Sequence, residues 1–286
     1  MNTPASGNKF VPKQAIAPTP QLYDELVADS MENLAKVSLT FVSPISEGAL
    51  IHDNGCGTGA ATSAIVSSIQ GLSVSIKATD IYEEALAIYR KRAAAGHWPA
   101  ETANMDVNAL QFADNTFDIS FDNALLFVLP DDGVGAAKEV YRTLKPGGTA
   151  IFNSWKYVPN VYPIQAASRG TRPAGTPLPR QGFEKWNDPE FLQSVVAKGG
   201  FKKDKIVMHA SPVSVTTSSG LDHWANMLWS FVGGTSTVGW LKSDEDNWDA
   251  AIEIIKREIK KTEGFELLPS GRAKLGFVAN IAIATK

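Results

Sequence analysis

The chain has 286 residues, a formal net charge of -3 and a single cysteine. That length suits one α/β domain carrying extra segments, and a hydrophobic share of 44% is too high for a disordered chain. The mildly acidic balance argues against a nucleic-acid partner, because nonspecific binding rests on clustered Lys and Arg. One cysteine excludes an internal disulfide, no Cys/His cluster has zinc spacing, and no apolar run is long enough to span a membrane. The expectation is a cytoplasmic monomer or homodimer with neither nucleic acid nor membrane as partner.

Residues 1–20 are rich in Pro, Ala and Thr, lack the apolar stretch of a signal peptide, and read as a flexible arm. Leu22 to Phe41 is predicted helical, with Leu26, Met31, Leu34, Val37 and Phe41 at roughly helical spacing. From residue 49 short β-rich runs alternate with helical stretches. Ala49–Asn54 is a strand, followed by a glycine turn and a helix through Ile69; Val74–Thr79 is a second strand, and Glu83–Ala95 a helix that Gly96 should end as a left-handed residue. Thr102–Asp106 is a weak third strand and Phe117–Phe121 a fourth. A helix from about Gly133 to Leu144 follows, broken by Lys145-Pro146-Gly147-Gly148 ahead of strand Thr149–Asn153. This succession predicts a mostly parallel sheet with helices on both faces.

The alternation lapses over Tyr157 to Gly182, where Pro and Gly are frequent, and resumes with a helix over Pro189–Lys198. Lys205–Ala210 is a sixth strand, Leu221–Phe231 a short aromatic helix, Asp246–Lys261 a longer helix, and Leu275–Ala284 a last strand. The predicted organisation is the arm followed by a single domain over 21–286, with lid segments at about 21–45, 157–185 and 211–245.

The strongest signal is the run Leu50 to Thr62, in which a strand leads through Gly55, Gly57 and Gly59 into a helix. Such glycines permit a tight turn and let backbone N–H groups approach a ligand. Asp80 ends the next strand, where a carboxylate reaches ribose hydroxyls, with Ile81 beside it. A dinucleotide enzyme shares these features. Asp53, placed just before the glycines, separates the two: a carboxylate there repels a pyrophosphate but holds the cationic amino-acid end of a sulfonium cofactor. Asp106 follows the third strand, where it can accept from an adenine amino group, with Met105 before it and the Val107 N–H offered to the ring.

Together these motifs resemble class I S-adenosylmethionine-dependent methyltransferases. The likeness covers Asp53 to Gly59, Asp80, Met105-Asp106-Val107, Phe117 to Asn123 and the Leu144 to Gly148 run. Outside that half, Tyr23-Asp24 and Ser154-Trp155 resemble small-molecule methyltransferases of fungal secondary metabolism, of the gliotoxin bis-thiomethyltransferase type. The resemblance implies a Rossmann-like sheet of seven strands with the last antiparallel beside the fifth, S-adenosylmethionine as cofactor and S-adenosylhomocysteine as product. It places Asp53, Gly55, Cys56, Gly57, Gly59, Asp80, Ile81, Met105, Asp106, Val107 and Asn123 around that cofactor. His52 departs from the usual aliphatic residue and reads as a buried, hydrogen-bonded core histidine. Cys56 has no evident base nearby and reads as a small residue that fits the turn, not as a nucleophile.

Displacement at a sulfonium needs alignment and exclusion of water more than acid–base help. A base is required only where the acceptor keeps its proton, and His223 is the candidate. It sits on a polar stripe beside the apolar stripe of Trp224, Met227, Leu228 and Phe231. Tyr23, Trp155, Tyr157 and Trp224 are candidate walls of an apolar acceptor pocket. Asp122 and Asn153 echo a magnesium site without a third ligand, so no metal is expected. A small-molecule acceptor is the expected partner, methylated on oxygen, with sulfur and nitrogen next. Rival readings are an isomerase or cyclase that retains the cofactor, a nicotinamide dehydrogenase, and a non-catalytic partner protein.

Overall fold

The structure is a computed structural model and describes residues 10–42, 44–69 and 71–286. In chain order the elements are α1 (Pro20–Val27), α2 (Ser30–Leu39), β1 (Leu50–Asn54), α3 (Ala60–Ser68), β2 (Ser75–Asp80), α4 (Glu83–Gly96) and β3 (Ala100–Asn104). There follow β4 (Phe117–Asp122), α5 (Val134–Thr143), β5 (Leu144–Tyr157), α6 (Val161–Thr171), α7 (Pro189–Lys198), β6 (Ile206–Gly220) and α8 (Leu221–Ser230). Last come α9 (Val232–Thr235), α10 (Lys242–Asp246), α11 (Trp248–Ile259), β7 (Glu266–Leu267) and β8 (Arg272–Thr285).

Among the described residues the strands form one sheet in the order β3-β2-β1-β4-β5-β8-β6, with the two-residue β7 paired to β8. The pairings β2–β3, β1–β2, β1–β4 and β4–β5 are parallel. At its C-terminus β8 exchanges hydrogen bonds between Lys286 and both Gly147 and Gly148, near the start of β5. End thus meets beginning, and the last strand runs antiparallel beside the fifth, as the family resemblance implies. The small β7 makes eight strands where seven were expected. The doubly wound order reverses at β1 and β4, whose carboxyl ends are where such sheets bind ligands.

The chain divides into two compact units: a larger one of Met31–Lys156, Lys185–Val213 and Val278–Lys286, and a smaller one of Met1–Ser30, Tyr157–Glu184 and Ser214–Phe277. In the larger unit Ile51, Ile76, Ile119, Phe121 and Ile151 pack against Ala61, Ala64 and Ile65 of α3 and Ala35 of α2. A second core joins Phe117 and Phe152 to Ala136, Val140, Leu192 and Val196 of α5 and α7. In the smaller unit α6 packs on α11 so closely that a Cβ on Gly170 would lie 2.8 Å from Ile254 Cδ1.

Local chemistry explains where the elements depart from the expected ones. The single helix predicted over 22–41 is two. Ala28 takes a left-handed φ of 48°, and the Asp29 carboxylate turns out to accept from the Thr216 N–H at 2.9 Å. The residues 157–182 are not irregular throughout: α6 tolerates Pro163 in its first turn, where no N–H is needed. The Lys145–Gly148 run is not a turn but the start of β5, irregular in register against β4 and left-handed at Gly147 (φ 79°). The left-handed residue ending α4 is His97 (φ 51°), not Gly96; glycine is required at 96 because a Cβ there would lie 2.5 Å from Trp98 Nε1. Of the expected arm, residues 1–9 lie outside the described residues. Further along it, Lys13 N–H donates to Glu245, Gln14 to the Glu245 carbonyl and Ile16 N–H to Ser230.

Candidate cofactor site

Strand β1 alternates its side chains between the two faces of the sheet, so Ile51 and Asp53 point to α3 while His52 and Asn54 point the other way. All four are buried. On the α3 face Asp53 Oδ2 accepts from the Thr62 N–H at 3.1 Å and from its hydroxyl at 2.6 Å. That hydroxyl proton is thereby committed, so Tyr89 Oη donates to Thr62 Oγ1 across 2.8 Å. Asp53 Oδ1 is buried without a hydrogen-bond partner. Burial pushes the Asp53 carboxyl up to about 6, against the pull of its Thr62 bonds and with help from the charge of Asp80.

On the opposite face a polar chain threads the core. His52 Nε2 lies 2.9 Å from Thr79 Oγ1, which donates to Asn54 Oδ1 at 3.4 Å, and Asn54 Nδ2 donates to Asp122 Oδ1 at 2.9 Å. Because the Thr79 proton goes to Asn54, His52 is the Nε2–H tautomer in this chain. Its ring stacks on Phe117 at 4.7 Å, and burial lowers its pKa to about 3; it is the neutral core residue expected. Asp122 Oδ2 is likewise buried and unpartnered. Burial and the charge of Asp53 hold that carboxyl well above its usual range.

The three glycines all have positive φ, but their surroundings differ. A Cβ on Gly55 would meet Leu125 at 2.6 Å and one on Gly59 would meet Trp98 at 2.6 Å, whereas Gly57 (φ 52°) has nothing within 4 Å. Its N–H donates to Asp80 Oδ2 at 2.8 Å, and Asp80 Oδ1 accepts from the Tyr82 N–H at 2.9 Å. Asp80 therefore pins the open apex of the turn. Asn104 Nδ2 bonds the carbonyls of Asp80 and Ile81, and Met105 N–H the Asp80 carbonyl, fixing the ends of β2 and β3 together. Cys56 is buried inside the turn, and burial with the charges of Asp53 and Asp80 holds its thiol protonated.

The remaining predicted residues fall in several places. Asp106 is exposed and folds back on Asn108, while Val107 is buried beside it. Asn123 donates to the Met31 carbonyl at 3.0 Å and accepts from Asn153, which also donates to Ser38. The amide of Asn123 thus fastens α2 to the ends of β4 and β5. Trp155 belongs to the larger unit and Tyr23, Tyr157 and Trp224 to the smaller one. Tyr23 and Tyr157 are partly exposed and Trp224 is buried. His223 lies 3.1 Å from Glu25 on the surface of the smaller unit. Asn54, Thr62, Tyr89 and the orphaned oxygen of Asp122 went unforeseen. The available signal for Asp122 was its place as the last residue of β4, next to the last residue of β1.

Residues 51–148 match a family model described as "Methyltransferase domain". The chain is 31% identical over 111 residues to the sterol 24-C-methyltransferase erg6 of Aspergillus fumigatus, covering 39% of this chain and 29% of that protein. It is 24% identical over 203 residues to the 2-methyl-6-phytyl-1,4-hydroquinone methyltransferase of Synechocystis sp., covering 68% of this chain and 57% of that one. The match, together with the sheet order and the glycine turn, supports a class I S-adenosylmethionine-dependent methyltransferase fold for residues 51–148. The chain spans under a third and just over half the length of these two curated relatives. A solved S-adenosylmethionine-dependent methyltransferase from Aquifex aeolicus shares the fold at a TM-score of 0.50 and 17% identity, covering 69% of this chain and 94% of that one.

S-adenosylmethionine is the cofactor of the methyltransferase domain, and the residues present fit it. It carries a sulfonium and an ammonium. Two buried carboxylates, each with an oxygen left without a donor, suit cations and would oppose a pyrophosphate. The open face of Gly57 admits a ligand to backbone distance. Among the described residues no helix is long and apolar enough to cross a membrane.

Proposed function

We propose that this chain transfers the methyl group of S-adenosylmethionine to a small-molecule acceptor of the secondary-metabolite class, on oxygen first, with sulfur and nitrogen next. The observation that carries the reading is the pair of orphaned oxygens, Asp53 Oδ1 and Asp122 Oδ2, at the carboxyl ends of β1 and β4. The cofactor supplies an electrophilic methyl on an already activated leaving group. Asp53 and Asp122 bind its positive charge. Asp80 keeps the Gly57 turn open, and Ile81, Met105 and Val107 supply apolar surface for the purine. Asp106 accepts from the adenine amino group. The reacting atoms then need alignment and a water-free surround. His223 remains the base proposed for an acceptor that must lose a proton.

The test is incubation of source-cell extract with the protein and deuterated-methyl cofactor, followed by mass spectrometry. The expected result is S-adenosylhomocysteine together with a product heavier by one labelled methyl. Product of unchanged composition would transfer the assignment to a cofactor-retaining isomerase or cyclase. Thermal stabilisation by NAD, with none by S-adenosylhomocysteine, would transfer it to a dehydrogenase.

A further inference from the structure

Within the larger unit, strand register gathers five polar side chains on one face of the sheet. β1 pairs Asn54 with Thr79 of β2, and His52 with Ser120 of β4. Paired residues of parallel strands share a face, and Asp122, two residues beyond Ser120, shares it too. All five are excluded from solvent. Four contacts join them in one line. Ser120 Oγ lies 3.5 Å from His52 Nδ1, and His52 Nε2 lies 2.9 Å from Thr79 Oγ1. Thr79 Oγ1 lies 3.4 Å from Asn54 Oδ1, and Asn54 Nδ2 lies 2.9 Å from Asp122 Oδ1. Phe117, stacked at 4.7 Å, and Phe112, edge-on at 5.3 Å, hold the imidazole in its plane.

Proton counting gives the line a direction. A neutral imidazole has one donor and one acceptor. With its proton on Nε2, Ser120 donates to His52, His52 to Thr79, Thr79 to Asn54, and Asn54 to Asp122. A proton on Nδ1 would turn the Thr79 hydroxyl toward His52 and take from the buried Asn54 oxygen the donor that Thr79 supplies, which is costly. Every donor therefore points toward Asp122, and hydrogen bonds aligned in this way strengthen one another. The line ends on Oδ1 alone; Asp122 Oδ2 has no partner. Burial and the charge of Asp53, on the other face of β1, raise the Asp122 carboxyl, and the Asn54 bond works against both.

We infer that Ser120, His52, Thr79 and Asn54 are positioning residues for Asp122. They fix the Asn54 amide with its N–H toward Oδ1, which favours the ionised carboxylate and leaves Oδ2 for the positive charge of the cofactor. His52 touches no ligand and acts through Thr79 and Asn54. Without the Thr79 hydroxyl, the Asn54 amide turns over and takes its hydrogen bond from a neutral Asp122. The service to the cofactor rests on the methyl-transfer reading; the direction of the line does not.

The test is calorimetry of S-adenosylhomocysteine on the full chain from pH ~6 to ~9, with Thr79→Val, Thr79→Ser and His52→Leu beside the parent. Taking each variant relative to the parent cancels the titration of Asp53 and of the ligand's amino group. Thr79→Val removes the hydroxyl at nearly constant shape. It should bind about ten-fold more weakly than the parent at the acid end, and approach the parent at the alkaline end, where Asp122 ionises in both. Thr79→Ser restores the hydroxyl and should follow the parent. His52→Leu leaves the Thr79 proton on Asn54 and should lose less than Thr79→Val, the reverse of the order that packing damage gives. A loss equal at every pH, a Thr79→Ser that behaves like Thr79→Val, or a Thr79→Val that matches the parent overturns the inference. Imidazole nitrogen NMR of the ligand-free parent reads the line without any cofactor. The neutral Nε2–H tautomer of His52 is expected, and the Nδ1–H tautomer overturns the direction whatever the variants do. A parent with the expected tautomer that does not bind S-adenosylhomocysteine strikes the methyl-transfer reading instead. In that case the Asp122 carboxyl, followed by carbon NMR, should still titrate at higher pH in Thr79→Val than in the parent, and an unmoved titration overturns the hold of the line on Asp122.

Discussion

Buried charge is handled in opposite ways by the two units. In the smaller one Asp244 meets Arg172 inside the protein, both side chains fully excluded from solvent, and Asp244 also accepts from the Leu241 N–H at 2.8 Å. Every carboxylate oxygen and every guanidinium nitrogen of that pair is engaged. In the larger one Asp53 and Asp122 are buried with no cation paired to them among the described residues, and each keeps an oxygen with no donor there. A pair that closes on itself is architecture. Carboxylates left short of donors, at the ligand-binding ends of a doubly wound sheet, are held ready for something positive.

Breaking the self-satisfied pair should have the largest effect. Arg172→Leu strands Asp244 as an uncompensated buried charge and should cost about 3–5 kcal/mol of stability, read by urea denaturation. Replacing both partners, Arg172→Leu with Asp244→Leu, should recover much of that loss. A single variant as stable as the parent would remove the contrast between the units.

The larger unit should respond with the opposite sign. The Asp53 carboxyl titrates near 6 in the fold and near ~3.9 when unfolded. The folded value is raised, so the stabilisation belongs to the protonated form: it is complete below the unfolded pKa and lost as pH rises through about 6. Asp53→Asn stays neutral and can still accept from Thr62. At pH ~8 it should therefore make the ligand-free protein more stable by roughly 1–3 kcal/mol, with little change near pH ~4. The same substitution should weaken binding of S-adenosylhomocysteine, a site residue trading stability for function. Denaturation at both pH values, paired with calorimetry, measures the two effects; destabilisation at high pH would contradict the buried-charge account.

Next in size is the support beneath the glycine turn. Asp80→Ala removes the acceptor for the Gly57 and Tyr82 N–H groups and should weaken S-adenosylhomocysteine by about 1–3 kcal/mol. Calorimetry showing unchanged affinity would separate Asp80 from the site.

How much of this could be read from sequence differs by scale. The strand–helix succession, the glycine turn and the acids Asp53, Asp80 and Asp106 were legible because period, turn chemistry and strand-end position are local properties. The antiparallel eighth strand was legible only through family resemblance, since pairing with β5 is a long-range event. Pro163 and Gly170 misled because a first-turn proline and a glycine at a helix contact resemble a loop in composition. Asp122 was seen as half of a metal pair; that Asn54 takes one oxygen and leaves the other bare depends on the register of β1 against β4. Asn123, placed near the cofactor by resemblance, spends its amide on α2, a contact between residues far apart in the chain.

The smallest predicted effect is also the most specific to the unsatisfied carboxylates. If the ionised form of Asp53 attracts the cofactor's positive charge, affinity should follow that ionisation. The neighbours do not confuse the reading. Burial lowers His52 to about 3 and raises the Cys56 thiol and the Tyr89 phenol, so none of these three changes charge between pH ~5 and ~7, and comparison with Asp53→Asn separates Asp53 from Asp122, whose carboxyl burial also raises. The ligand's α-amino group, with a pKa near ~7.7–8.0, stays protonated across the window. One unit below its pKa Asp53 is about one-tenth ionised, so S-adenosylhomocysteine should bind roughly ten-fold more weakly at pH ~5 than at pH ~7, or about 1.4 kcal/mol. In Asp53→Asn that part of the pH dependence should be lost. A parent profile no steeper than that of the variant would mean that Asp53 keeps its proton when the cofactor binds, leaving Asp122 as the carboxylate that answers the charge.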